Sequence, residues 1–288
     1  MSSKKVTVAA IQMSMAEEFA ANIEKASRLV EQAASQGANI ILLPELFKSH
    51  YFCKNHNPKY FSWAESLEDS SLVRHFAQLA QKFQVVLPVS FFEKKGNTFF
   101  NSLAIADADG KILGVYRKSH IPDGFAYSEK YYFSPGKSGF KVWKTKYAAI
   151  GCGICWDQWF PETARCMVLD GAELLFYPTA IGSEPQAPDI DSQAHWQVTM
   201  QGHAGANMVP VIVANRYGYE VQDDVSMTFY GSSFITDNQG QIVKKSSRDG
   251  DSILIESFDL NAYQEQRNAW GMFRDRRPEL YARITDEA

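Results

Sequence analysis

The chain has 288 residues, of which 45% are hydrophobic, enough for one large domain or two ordinary ones with a sizeable core. Its net charge of -4 and the lack of a long Lys/Arg run argue against a nucleic-acid partner. The first residues lack the apolar segment of a signal peptide, and no apolar stretch approaches a membrane span, so we expect a cytoplasmic protein without a membrane partner. Its four cysteines are too few for a disulfide scaffold and are expected to be reduced.

The first third of the sequence alternates strand and helix patterns. Residues 6–12 alternate as a strand does, and apolar residues then recur at helical spacing up to Gly37. Residues 39–46 (NIILLPEL) are apolar enough for a strand that is buried on both faces. A second helix pattern covers residues 72–83, and a third strand pattern follows over residues 85–93. This order predicts a sheet whose buried faces are covered by helices.

Two hairpin signals interrupt this alternation. Residues 98–106 and 111–120 are typical of strands joined by the turn DADG, and DNQG joins two more strands within residues 229–243. The polar, proline-bearing residues 183–193 predict a loop. The remaining patterns predict helices over 161–170 and 195–207 and strands over 173–179, 209–215 and 252–258. With no linker and no change of composition, residues 1–288 are predicted to form a single α/β domain with mixed sheets.

Residues 147–162 (YAAIGCGICWDQWFPE) combine an apolar run with a turn, and we take them as the candidate catalytic segment. The run suits a buried strand, and Pro161 and Glu162 suit the first turn of a helix. Cys155 lies between them, where a side chain is expected to be exposed above the sheet edge, as the serine is in a nucleophile elbow. We interpret Cys155 as a nucleophile, although a lone cysteine after a strand is more often a small core residue.

A nucleophilic cysteine needs a base for its proton and a cation for the negative charge that develops. Glu45 follows the apolar run IILLP and Lys118 ends a hairpin strand, so three strands could bring Glu45, Lys118 and Cys155 to one sheet edge. A lysine about 4 Å from the anion contributes roughly 4 kcal/mol at an effective dielectric of about 20. A histidine base remains an alternative, since His120 lies close to Lys118. Taken singly, Glu45 and Lys118 would more often be solvated side chains.

Metal, redox and phosphate patterns are weak in this chain. Cys152 and Cys155 have CxxC spacing, but no second CxxC and no HExxH occur. The glycines beside Cys152 are not followed by the Lys-Ser/Thr pair of a phosphate loop. We therefore expect Cys152 to be a packing residue.

Three motifs, taken in order, resemble those of the nitrilase (carbon-nitrogen hydrolase) superfamily: LLPELF with Glu45, YRKSHIP with Lys118, and GCGICWDQWFPE with Cys155. The resemblance implies a four-layer αββα sandwich with two mixed β-sheets, and a Glu45-Lys118-Cys155 triad that uses no metal or cofactor. It also implies that Glu129, in AYSEKYYFSPG, is a second carboxylate near the lysine. The family commonly pairs subunits, so the resemblance implies a homo-oligomer, with the tail from about residue 261 in oligomer contacts.

The resemblance also concerns the substrate. The stretches HIPDG, CWDQWFPE, IGSEPQAPDIDSQAHW and MQGHAGANMVPVIVANR imply an amidase that acts on a small ureido compound with a cationic tail. Burial of an ammonium group requires a carboxylate or aromatic faces. The candidate substrate-binding residues are Tyr51, His120, Trp156, Asp157 and Glu184, and the backbone N-H of Trp156 is also a candidate oxyanion donor. A β-ureidopropionase-like or ω-amidase-like enzyme, and a binding module without catalysis, remain alternatives.

Overall fold

The computed structural model describes residues 3–286. Its α-helices are α1 (Phe19–Ser35), α2 (Ser71–Phe83), α3 (Glu129–Tyr132), α4 (Pro161–Leu169), α5 (Gln193–Asn207) and α6 (Leu260–Trp270). Its strands are β1 (Lys5–Gln12), β2 (Ile40–Leu42), β3 (Leu87–Lys95), β4 (Thr98–Ala106), β5 (Ile112–Arg117), β6 (Val142–Lys144), β7 (Ala149–Cys152), β8 (Leu174–Thr179), β9 (Val211–Asn215), β10 (Tyr217–Gln222), β11 (Val225–Tyr230), β12 (Phe234–Thr236), β13 (Ile242–Lys245) and β14 (Ser252–Asp259).

The first sheet runs outward from β1. This strand pairs with β14 in the antiparallel direction and with β2 in the parallel direction. A parallel bridge between Ile40 and Val86 connects β2 to the residue before β3, and β3, β4 and β5 continue as antiparallel neighbours. The predicted hairpin around DADG is therefore confirmed, and the sheet is mixed.

The second sheet has the order β13-β12-β9-β8-β7-β6. Its central strands β7, β8 and β9 are parallel, and β6 and β12 are antiparallel to their neighbours. The apolar run before Cys155 forms β7, as predicted, although this strand covers only Ala149–Cys152. This sheet is mixed as well.

Helices cover the outer face of each sheet. Apolar residues of α1 and α2, among them Leu29 and Phe76, pack on the first sheet. Met167 of α4 and Trp196 of α5 pack on the second sheet in the same way. A third core fills the space between the sheets and includes Val8, Leu42, Leu103, Ile105, Ile150, Phe176 and Ile212. The four-layer αββα sandwich with two mixed sheets, which the sequence motifs implied, is confirmed.

One hairpin was missed in the sequence. Strands β10 and β11 pair along their whole length and stand apart from both sheets. Their turn contains Asp223 at a positive φ of 51°. Glycine is the residue that usually takes this left-handed conformation in a hairpin turn, so the aspartate gave no hairpin signal in the sequence. Because β11 continues to Tyr230, the hairpin predicted within residues 229–243 is shorter and begins at Phe234.

The remaining differences concern element ends. The strand predicted over residues 39–46 ends at Leu42, because the chain then turns to bring Glu45 and Leu46 inward. The region after residue 260, treated as a tail, begins with helix α6, whose first turn is capped by the Asp259 carboxylate.

Candidate active site

Cys155 lies in the turn after β7, as the first residue of the 3₁₀ turn Cys155–Trp159. Its φ is +42°, a left-handed value that is strained for a residue with a side chain. The thiol is only 6% exposed, and Sγ lies 3.8 Å from the carbonyl oxygen of Ala180. The expectation of an exposed thiol is thus wrong, because the residue lies on the floor of a cleft. The exposed cysteine is Cys166, and all four thiols are free.

Lys118 joins two carboxylates in a fully buried position. Its Nζ donates to Glu45 Oε1 at 2.9 Å and to Glu129 Oε2 at 2.7 Å. Burial alone would lower the pKa of Lys118, but the carboxylates of Glu129 and Glu45 together raise it well above the usual lysine value. The lysine is therefore held as an ammonium group. The structure brings together Glu45, Lys118, Glu129 and Cys155, the four residues expected to carry the chemistry.

The two oxygens of Glu45 have different surroundings. Oε1 accepts from Lys118 and also from the side-chain amide of Asn101, at 2.6 Å. Oε2 is buried and has no hydrogen-bond partner within residues 3–286. One oxygen is therefore fixed by two donors, and the other is left open for a proton.

An arginine that the sequence analysis missed holds the Glu45 backbone. Arg216, directly after β9, is fully buried, and its Nη2 donates to the carbonyl oxygens of Glu45 at 2.7 Å and Leu46 at 3.1 Å. Leu46 has a positive φ of 48°, so this turn is strained and depends on such bonds. A charge directly after the buried run VIVAN was a visible signal of a residue at this sheet edge.

Tyr51, a candidate substrate-binding residue, contacts the second carboxylate. Its hydroxyl donates to Glu129 Oε1 at 2.6 Å, and its backbone N-H donates to Glu220 Oε2 at 2.7 Å. Glu220 in turn accepts from Arg216 Nη1 at 2.9 Å. A closed ring of buried contacts therefore runs from Glu45 through Lys118, Glu129, Tyr51, Glu220 and Arg216 back to Glu45.

Burial controls the protonation of the cluster. It raises the pKa of the Cys155 thiol well above its usual value, and the negative charge of Glu45 adds to this, while the Lys118 ammonium opposes it. Burial also raises the pKa of Glu129, although Lys118 acts against it. The Cys155 side chain is therefore held as a thiol, and a thiol acts as a nucleophile only when a base takes its proton.

A cleft of about 600 Å³ opens above Cys155. Trp156 and Glu184, two of the candidate substrate-binding residues, line it together with Glu129. The other lining residues lie within 122–127 and 180–192, in the 3₁₀ turn and at the start of α5. These further lining residues are Pro122, Asp123, Gly124, Phe125, Tyr127, Trp159, Ala180, Ile181, Pro185, Gln186, Ala187, Ile190, Ser192 and His195. The volume suits a small molecule.

Glu184 is the half-buried carboxylate of this cleft. Burial raises its pKa above the usual value, and its negative charge contributes, after burial, to the raised pKa of Tyr127. The hydroxyl of Tyr127 accepts a hydrogen bond from the N-H of Gly182 at 3.0 Å, which holds the start of the loop. A partly desolvated carboxylate next to an aromatic ring is suited to an organic cation.

His120 and Asp157, also candidate substrate-binding residues, do not line this cleft. The fully buried Asp157 carboxylate accepts from the N-H of His120 at 3.0 Å, the N-H of Ile154 at 2.9 Å and the hydroxyl of Tyr116 at 2.8 Å. His120 stacks on Phe160, with ring centroids 3.7 Å apart, and its Nδ1 lies 2.8 Å from Asp157. The 3₁₀ turn directs Asp157 inward, so this geometry favours a structural role, and His120 contacts it instead of the thiol.

No group of three or more His, Cys, Asp or Glu side chains is arranged to hold a metal ion within the described residues. Within residues 3–286, every helix is too short or too polar to cross a lipid bilayer.

The sandwich and its cleft are those of a hydrolase that acts on the carbon-nitrogen bonds of amides. The chain belongs to the carbon-nitrogen hydrolase family, whose model matches residues 7–268. The nitrilase-superfamily resemblance of the sequence motifs is thereby confirmed.

Individual relatives cover nearly the whole chain. A citrullinase of Francisella tularensis is 57% identical over 279 residues, which are 97% of this chain and 98% of that protein. An N-carbamoylputrescine amidase of Oryza sativa is 52% identical over 281 residues, with 96% and 93% covered. The crystal structure of a carbon-nitrogen hydrolase from Helicobacter pylori G27 is similar with a TM-score of 0.92 and 38% identity, covering 98% of this chain and 99% of that one.

Proposed function

We propose that this protein hydrolyses N-carbamoylputrescine to putrescine, ammonia and carbon dioxide, as a step of putrescine formation from agmatine. The observation that carries the proposal is the buried Cys155-Lys118-Glu45 cluster on the floor of a cleft whose wall holds Glu184. Relatives about 50% identical that are named N-carbamoylputrescine amidase support this substrate.

The first half of the reaction forms an S-carbamoyl enzyme. Cys155 attacks the ureido carbon while its proton passes to Glu45, and the oxyanion is stabilised by the Lys118 ammonium and the backbone N-H of Trp156. Collapse of this intermediate breaks the bond to the putrescine nitrogen, which leaves with the proton from Glu45. The carbamoyl group stays on sulfur.

The second half releases the carbamoyl group. Glu45 takes a proton from water, whose oxygen attacks the carbonyl carbon of the S-carbamoyl group, and the thiolate leaves and is reprotonated by Glu45. The carbamic acid product breaks down to ammonia and carbon dioxide. Glu129 keeps Lys118 in place through its 2.7 Å contact, and Tyr51 orients Glu129.

The charges that line the cleft favour a cationic tail. Asp123, Glu129 and Glu184 are the carboxylates of the lining, and no Lys or Arg side chain belongs to it within residues 3–286. The rings of Tyr127 and Trp156 add faces that attract an ammonium group. Because the Lys118 ammonium is already paired with Glu129 and Glu45, an anionic tail, as in N-carbamoyl-β-alanine, would meet the carboxylates of Asp123 and Glu184.

Citrulline is the second candidate substrate, because the Francisella tularensis relative is named a citrullinase. Citrulline has the same ureido group, but its tail carries both an ammonium and a carboxylate. A comparison of ammonia release from N-carbamoylputrescine, citrulline and N-carbamoyl-β-alanine tests the choice. We expect the highest kcat/KM for N-carbamoylputrescine, and a higher value for citrulline would overturn the substrate assignment.

The proposed chemistry is tested with variants of the cluster. Cys155→Ala, Cys155→Ser, Glu45→Gln and Lys118→Ala should each lower ammonia release by at least about 100-fold, since they remove the nucleophile, the base or the oxyanion donor. Substantial activity in Cys155→Ala would end this mechanism. A folded but inactive wild-type chain would instead favour a binding module.

The role of Glu184 is tested by the neutral variant Glu184→Gln, with Asp189→Asn as a matched control. Both residues lie in the same loop, but Asp189 is exposed and does not line the cleft. Glu184→Gln should raise KM for N-carbamoylputrescine about tenfold, because a partly solvated ion pair contributes roughly 1–2 kcal/mol. Equal KM values for the two variants would show that another group binds the tail.

We also propose that the protein is a cytoplasmic homo-oligomer with contacts through its C-terminal region. Large apolar side chains there are exposed, among them Trp270 at 71%, Leu280 at 65% and Ile284 at 60%. Light scattering should give a mass above one chain, and Trp270→Ser with Leu280→Ser should reduce it. A monomeric wild-type protein would contradict this proposal.

A further inference from the structure

We propose that Asn101 is a positioning residue that selects Oε2 of Glu45 as the atom that takes the cysteine proton. The inference rests on the proposed function in one respect, the assignment of Glu45 as the base. It adds a residue that none of the sequence motifs marked, and it assigns different tasks to the two oxygens of one carboxylate.

Asn101 lies in β4, the middle strand of β3-β4-β5, and it is fully buried. Its backbone carbonyl accepts the N-H of Lys118 at 2.9 Å, just past the end of β5. Its side-chain amide donates to Glu45 Oε1 at 2.6 Å. The same residue therefore fixes the backbone of the lysine and the side chain of the base.

The hydrogen bonds at Glu45 determine where a proton can bind. Oε1 faces the ammonium of Lys118 and the amide of Asn101, and a proton placed there would point at one of these donors. Oε2 has no partner within residues 3–286, so its lone pairs are open. The Asn101 amide thus keeps the carboxylate from rotating and keeps Oε2 free for the thiol.

The titratable groups that interact electrostatically with Glu45 include Tyr51, Cys53, Lys118, Glu129 and Cys155. A substitution at Asn101 leaves these groups in place, so they are common to the wild type and the variants.

Asn101→Asp is the decisive variant, since it keeps the shape of the side chain. Two carboxylates at this distance repel each other, so they share a proton and the pKa of the pair rises. Below that pKa the hydroxyl of the introduced carboxylic acid donates to Oε1 in place of the amide. Above that pKa the donor is lost, so kcat of the variant should fall as the pH rises. The midpoint of this fall should lie at least about one pH unit below the midpoint of any alkaline fall in kcat of the wild type.

Asn101→Ala removes the donor at every pH. We expect kcat for N-carbamoylputrescine to fall about 10- to 100-fold with KM within about threefold, because the carboxylate loses its orientation and the cleft is unchanged. If this variant does not fold, the Asn101→Asp profile decides alone.

Asn207 provides a matched control. It is also a buried asparagine whose Nδ2 is bonded, to His203 O at 2.9 Å, and whose Oδ1 has no partner within the described residues. Asn207→Asp and Asn207→Ala should lower the unfolding midpoint as the Asn101 variants do, but leave the pH profile of kcat unchanged. If kcat depends on pH in the same way in Asn101→Asp and in Asn207→Asp, the proposal is overturned.

Glu45→Gln separates this inference from the proposed function. Activity in Glu45→Gln would show that another group is the base, so the proposed mechanism and the role of Asn101 would both fail while the assigned substrate would stand. An inactive Glu45→Gln, together with an Asn101→Asp variant whose pH profile matches the wild type, would reject only the role of Asn101.

Discussion

Replacing Lys118 with methionine would leave the buried carboxylates of Glu45 and Glu129 facing each other without a cation between them. The lysine Nζ lies 2.9 Å and 2.7 Å from their oxygens. At an effective dielectric of about 20, each contact has a gross Coulomb energy of roughly 6 kcal/mol. Loss of one partner from a buried pair lowers the free energy of unfolding by about 3–5 kcal/mol, because a charge is left uncompensated.

The effect of Lys118→Met on stability should depend on pH. Without the ammonium, burial and the neighbouring Glu45 carboxylate raise the pKa of Glu129 above the unfolded value of about 4.3. Groups whose pKa is raised by folding contribute stability that is complete below the unfolded pKa and is lost as the pH rises through the folded pKa. Urea unfolding should therefore show a larger loss at pH 8 than at pH 5.

The double variant Lys118→Met with Glu129→Gln tests this reasoning. Removal of one carboxylate charge should restore part of the stability, whereas kcat should stay at least about 100-fold below wild type, since the oxyanion donor is still missing. The control is Lys54→Met, which removes another buried lysine, 3.4 Å from Glu220, and should lower stability with kcat within about threefold. A double variant no more stable than Lys118→Met would refute the electrostatic account.

Three further outcomes are expected. Tyr51→Phe removes the hydroxyl that orients the second carboxylate, so kcat should fall about tenfold with little change in KM, and stability should fall by about 1.5–3 kcal/mol. Arg216→Lys keeps the charge but not the fork that holds the Glu45 carbonyl, so kcat should fall at least about tenfold and a wild-type rate would contradict this. In a Cys166→Ala background, iodoacetamide should label Cys155 faster as the pH rises through the alkaline range, because burial and the Glu45 charge raise the pKa of the thiol; a labelling rate independent of pH would contradict this.

The sequence predicted which residues at the ends of strands would lie close together. Glu45, Lys118 and Cys155 each lie at or within three residues of the end of a recognisable apolar or hairpin strand, so the topology favoured their meeting at one edge. Glu129 was found only through the family resemblance, since nothing in its own surroundings marks it. Asn101 was missed because it lies inside a strand, where a polar residue gives no signal until its partner on another strand is known.

The direction of side chains on short turns could not be predicted. Asp157 is two residues from Cys155 and was expected in the pocket, but the 3₁₀ turn sends it inward to Tyr116 and Ile154. The positive φ of Cys155 was not visible either, since cysteine gives no sign of a left-handed conformation. Pattern and spacing therefore locate strand ends better than they locate the atoms at those ends.

The walls of the cleft and the reacting groups belong to different parts of the chain. The hydrogen bonds among Lys118, Glu45 and Asn101 join the interior of β4 to residues that follow β5 and β2, whereas part of the outer wall comes from residues 183–192. This segment is bonded to the rest of the chain through Ser183 and Asp191. A substitution within residues 183–192 can therefore change the shape or charge of the outer wall without removing any hydrogen bond among Lys118, Glu45 and Asn101.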